Sequence, residues 1–148
     1  MYGNRRVWVI LVVAALAISP SSCARTAATP SGKSLYVRLG GATKIASVVE
    51  EFLTNVATDR RINGRFATAD LAKLRGHLID QLCMITGGPC VYTGRDMQSA
   101  HAGMHITRGE FNALMEDLVA ALDRLKVSPQ EKGQLLGLID AMKRDIIE

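Results

Sequence analysis

A chain of 148 residues that is 48% hydrophobic but only 5% aromatic makes one domain with a core of Leu, Ile, Val, Met and Ala, which suits packed helices better than a β-sandwich. Its formal charge of +4 invites a nucleic-acid reading that the charge distribution excludes. Four of the 18 basic residues (Arg5, Arg6, Arg25, Lys33) and none of the 14 acidic ones precede residue 34. Residues 34–148 are therefore neutral and have no electrostatic footprint for a phosphate backbone.

At the start, Met1–Arg6 carries two arginines, Val7–Ile18 is apolar and uncharged, and Ser19-Pro20-Ser21-Ser22-Cys23-Ala24 follows with small residues and a helix breaker. That order is the signature of a secretory signal. The apolar run falls short of the roughly 20 residues a membrane span needs, although an uncleaved anchor is the alternative. The expected division is a signal peptide over 1–23, a flexible tether over 24–33 and a globular domain over 34–148. Cys23 after Ser-Ser resembles a lipoprotein cleavage site, with Pro20 where such sites usually carry Leu; ordinary cleavage after Ala24 is the rival. Either route exports the domain, to the periplasm or to the outer side of the inner membrane, where Cys23 would be its membrane tether. Cys83 and Cys90, which flank Gly87-Gly88-Pro89, are then a disulfide or two free thiols, since spacing does not fix the distance a bridge requires.

Helical periodicity organises the rest. Ser34 caps a short helix over Leu35–Leu39, closed by Gly40-Gly41. A second helix over about 42–57 places Ile45, Val48, Val49, Phe52, Leu53 and Val56 at helical steps. Residues 59–66 are a polar connection ending on Phe66. A third helix, about 69–85, has the stripe Leu71, Leu74, Leu78, Leu82 and Ile85, with His77 at its flank. Residues 90–106 lack a sustained period and hold a short helix around Met97–Ala102. Irregular stretches of that length seldom persist in a compact domain without binding something. Thr107–Glu110 is a capping box opening a helix with Phe111, Leu114, Met115, Leu118, Leu122 and Leu125 on one face. Ser128-Pro129-Gln130-Glu131 reads as a second box, opening a last helix with Leu135, Leu136, Leu138, Ile139 and Met142. The fold class is all-α.

The chemistry-bearing side chains are His77, His101 and His105, each of which, taken alone, is more often an ordinary helix histidine than a ligand. No nucleophile elbow, phosphate loop, HExxH, CxxC or EF-hand occurs. A zinc site from His101, His105 and the cysteines is conceivable, but Gly103 puts His105 in a turn. A haem site requires a neutral imidazole on a short rigid element between apolar walls. His101 supplies the first, and the leucine-rich faces of the flanking helices supply the second.

Several segments together resemble the group 1 truncated haemoglobins, the two-over-two helical globins. They are Ser34-Leu-Tyr-Val-Arg-Leu-Gly-Gly41, Val48-Val-Glu-Glu-Phe52, Phe66, Gly87-Gly-Pro89, Tyr92-Thr-Gly-Arg95, Met97, Ala100-His101-Ala-Gly103, Ile106-Thr107 and Glu110-Phe111. The resemblance implies a two-over-two sandwich around one haem b, with His101 as proximal iron ligand and Phe66 packed on the porphyrin. It makes Tyr92 and Arg95 partners for the propionates, and Leu74, Leu78 and Phe111 further pocket residues. The distal side departs from the pattern. Leu53 stands where oxygen-binding members often carry Tyr, and Leu78 stands at the Gln position. The string Lys73-Leu74-Arg75-Gly76-His77 resembles that of cyanobacterial members whose His is a second axial ligand, so His77 is a metal-ligand candidate. The implied function is reversible binding of oxygen, nitric oxide or carbon monoxide, with nitric oxide detoxification as a possible activity, in a monomer or weak dimer served by an unidentified reductase. The rivals are electron transfer through bis-histidine iron and a non-haem helical lipoprotein that binds a partner.

Overall fold

The computed structural model describes residues 32–148; the expected signal peptide, tether and lipidation site at Cys23 lie outside the described residues, save the last two positions of the expected tether. The described residues form six α-helices and two 3-10 turns, without a strand. No helix among them is long and apolar enough to cross a membrane.

The first helix, α1 (Leu35–Leu39), starts on the Ser34 hydroxyl, which accepts from the Val37 amide, and ends at Gly40, whose φ of 105° is left-handed. That conformation costs a residue without a Cβ little, so the chain turns at once into α2 (Gly41–Thr58). Ile45, Val48, Val49, Phe52 and Val56 make its buried face. The connection contains the 3-10 turn Asn63–Phe66. Asp70 then caps α3 (Leu71–Ile85), its side chain accepting from the Lys73 amide. A loop leads to α4 (Met97–His101), capped by Asp96, which accepts from the Ser99 amide. The Thr107–Glu110 box is complete and opens α5 (Arg108–Arg124).

Ser128 opens α6 (Pro129–Asp140), but only half of the second expected box forms. The Ser128 hydroxyl accepts from the Glu131 amide, whereas the Glu131 carboxylate lies 3.4 Å from Arg38 Nε. An opposite charge on α1 outcompetes the local backbone donor. The helix also ends before Met142, which lies in the turn beyond it.

Helix α2 packs on α3 and on α5, α5 on α6, and α1 bridges α2 and α6. Two helix pairs, α2–α3 and α5–α6, are thus stacked through α2 and α5. Val49, Val56, Leu122 and Leu135 fill the centre, all under 3% exposed. Each such side chain contributes about 1.5–3 kcal/mol by leaving water.

The stripe on α3 behaves differently. Leu82 and Cys83 are buried, Leu74 and Leu78 only half-buried, and Leu71 is 54% exposed. Leu71 therefore does not join the core as its spacing predicts. A stripe of leucines covered only at its C-terminal end leaves apolar surface facing a space.

Candidate haem site

That space is a cavity of about 730 Å³, well inside the size range of small-molecule sites. Its walls come from α2 (Val48, Val49, Phe52), from α3, from the loop and α4, from α5 (Phe111, Leu114, Leu118) and from the chain after α6 (Met142, Ile146). All eight residues singled out from the sequence line it: Phe66, Leu74, His77, Leu78, Tyr92, Arg95, His101 and Phe111.

His101 ends α4, and its Nδ1 lies 2.8 Å from the Met97 carbonyl one turn back. A carbonyl only accepts, so Nδ1 carries the proton and donates, leaving Nε2 with a free lone pair. A backbone carbonyl bonded to one ring nitrogen is the usual way a protein sets the tautomer of a metal-binding histidine.

His77 reaches the same cavity from α3. Tyr92 meets its ring edge-on, with centroids 5.9 Å apart and planes at 70°. The Tyr92 hydroxyl donates to the Arg95 carbonyl at 2.8 Å, and burial pushes the phenol pKa up. Its proton is committed to the backbone, and the cations of Lys73 and Arg95, both exposed, also line the cavity. Gly94 makes this arrangement possible, since a Cβ there would overlap the Tyr92 ring and hydroxyl.

Two expectations are corrected. Leu53 does not line the main cavity; it faces a smaller one of about 460 Å³ that shares Phe66 and Ala69 with it. Phe52 lines the main cavity instead, because it lies on the Val48–Val56 row of α2 while Leu53 is rotated about 100° from that row. Gln81 also lines the cavity, and its amide donates to the thioethers of Met97 at 3.2 Å and Met142 at 3.6 Å. The zinc alternative is overturned, since Cys83 and Cys90 are joined as a disulfide with Cα atoms 5.7 Å apart. No group of three or more ligating side chains for a metal ion occurs among the described residues. His105 sits in a turn with φ of 50°.

The profile of the bacterial-like globin family matches residues 34–148. The chain belongs to that family. This globin is 35% identical over 113 residues to the group 1 truncated haemoglobin of Nostoc sp., an alignment covering 76% of this chain and 96% of that one. It is 36% identical over 119 residues to the group 1 truncated haemoglobin of Synechocystis sp., with the same coverage. The crystal structure of the truncated haemoglobin of Tetrahymena pyriformis in its Fe(III) form superposes with a TM-score of 0.75 at 30% identity, covering 78% of this chain and 98% of that one. The stacked helix pairs are therefore the two-over-two globin sandwich, and the globin takes a haem. The site fits that group, with an imidazole of set tautomer, apolar walls for a macrocycle and the exposed cations Lys73 and Arg95 in its lining, which suit a group bearing carboxylates.

Proposed function

We propose that this globin binds a diatomic gas reversibly at haem iron, with His101 as the proximal ligand and His77 governing the opposite side. The observation that carries the reading is the His101 Nδ1 bond to Met97 inside the apolar cavity. When bound, the haem supplies the iron coordination position at which a gas such as oxygen, nitric oxide or carbon monoxide binds. Met97 holds the proton on Nδ1, so Nε2 would be the atom that holds the iron, and α4 delivers the ring to the cavity. Phe52, Leu74 and Leu78 exclude water, which favours uncharged diatomic molecules over anions. His77, which lines the same cavity, would either hold the iron beside His101 or donate a hydrogen bond to the bound gas, worth about 1 kcal/mol. The Tyr92 contact limits how its ring turns. Electron transfer through bis-histidine iron is the second reading, supported by His77 and His101 lining one cavity.

The Cys83–Cys90 bridge supports export to an oxidising compartment, and the proposed tether is Cys23. Cell fractionation with a Cys23→Ser variant tests it: a protein released from the membrane by the substitution supports lipidation, and an unchanged cytoplasmic pool removes export.

The ferrous absorption spectrum tests the site. Two sharp visible bands without added ligand indicate His77 on iron, and His77→Leu is then expected to give one broad band and faster carbon monoxide binding. A spectrum unmoved by His77→Leu takes His77 off the iron. His101→Ala is expected to abolish stable haem retention, and full retention with an unchanged spectrum sinks the proximal assignment.

A further inference from the structure

The chain that leaves α4 after His101 is held by two side chains from distant parts of the sequence. Glu148 takes the Gly103 amide on Oε1 at 2.8 Å and the His105 amide on Oε2 at 2.8 Å. His105 Nδ1 lies 3.1 Å from Oε2, and the Glu148 amide donates to the Ile106 carbonyl at 3.1 Å. From the other side, Arg65 Nη1 donates to the Met104 carbonyl at 2.7 Å and Nη2 to the His105 carbonyl at 3.4 Å, while Nε donates to Glu110 Oε1 at 2.7 Å. A three-residue loop is thus gripped at its amides by an anion and at its carbonyls by a cation.

The backbone is shaped for this grip. Both Gly103 (φ 73°) and His105 (φ 50°) are left-handed. For His105 that conformation is disfavoured, and it persists only where the surroundings hold it. Left-handed residues in a short turn point amides toward one concave side, where an anion fits. The same two amides hold the Glu148 carboxyl below the usual carboxylate range.

The loop matters because of what precedes it. Helix α4 has five residues, too few to be stable by its own hydrogen bonds. It packs on the turn Lys143–Asp145, and its Met97 carbonyl sets the His101 ring. We propose that Glu148, with Arg65 as its counterpart, is a positioning residue for His101: it fixes the exit of α4 and closes the proximal side of the haem cavity.

This rests on His101 being the iron ligand, so the experiment separates the two. The haem-loaded full chain is made in a His77→Leu background, giving ferrous iron one protein ligand, and haem transfer to excess apomyoglobin is timed. Glu148→Ala is expected to speed haem loss by about tenfold or more, the usual effect of removing a group that orients a metal ligand, and to shift the iron–histidine stretching band. Glu148→Gln, which keeps one acceptor oxygen, should fall between. In the haem-free protein, the Gly103 and His105 amides should exchange faster with solvent while those of α5 do not. Glu116→Ala, which removes an exposed carboxylate paired with Arg61, should change none of these. Haem loss and a stretching band unmoved by Glu148→Ala overturn the positioning role. If His101→Ala also keeps its haem and spectrum, the ligand assignment falls with it.

Discussion

Tyr92 shows how much one missing Cβ decides. Its ring occupies the space a side chain at Gly94 would need, and from there it meets His77. Gly94→Ala is expected to push the ring away, destabilise the fold by about 1–3 kcal/mol as overpacking does, and free His77. Denaturant unfolding of the haem-free protein reads the first effect, and the ferrous spectrum reads the second. An unchanged midpoint and spectrum would show that Tyr92 does not hold His77. At this scale the sequence was informative about the site and poor about its supports. His77, His101, Leu74 and Leu78 line the cavity as the family resemblance implies. Gln81 and Glu148 carried no signal, because their partners are two thioethers and two amides brought near only by folding.

The helices were the most legible part of the chain. Helix α1 was read with its limits intact, and α2 to within a residue at each end, because caps and apolar steps are local properties. The Thr107 box is a further case, and it joins α5 to the site. Glu110 bonds the Thr107 amide and hydroxyl and also pairs with Arg65. Thr107→Ala is expected to cost about 1 kcal/mol, as lost N-caps do. The Arg65 bond, followed by those from Thr107, lowers the Glu110 pKa from 4.5 to about 2. A depressed carboxyl contributes stability that is fully present above its unfolded value and lost as pH falls through its folded one. Glu110→Gln should therefore flatten the acid side of the stability curve between 4.5 and about 2. Acid titration of the variant beside the parent measures this, and identical curves would contradict it. The Ser128 box failed for the complementary reason. Its hydroxyl half is local and formed, whereas Glu131 turned to a cation on α1 that no window around residue 131 contains.

Over the whole molecule, the half-covered leucine stripe of α3 and the cavity of about 730 Å³ describe a fold that is complete only with its cofactor. Haem binding to the native state alone raises stability by about 1.4 kcal/mol for each tenfold excess over its dissociation constant. The haem-free protein should melt well below the loaded one, with α3 losing protection first. Hydrogen exchange resolves this helix by helix; uniform loss across α2, α3 and α5 would show that the cavity wall is not the weak element. The neutral charge of residues 34–148 spoke against a nucleic-acid partner at the level of expectation, and the ordered motifs implied the two-over-two globin that the superposition bears out.

By itself, the sequence determined the all-helical class and the helix starts to within two residues, and it put His101 on the short helix α4, because these depend on residues within one or two turns of each other. The tertiary structure decided that Cys83 and Cys90 are joined, that Phe52 and not Leu53 faces the main cavity, and that Glu148 closes the loop behind His101. Each of those is a question of which side chains meet in space. Periodicity assigns a residue to a face of its own helix, but only the packing of one helix on another says what that face meets.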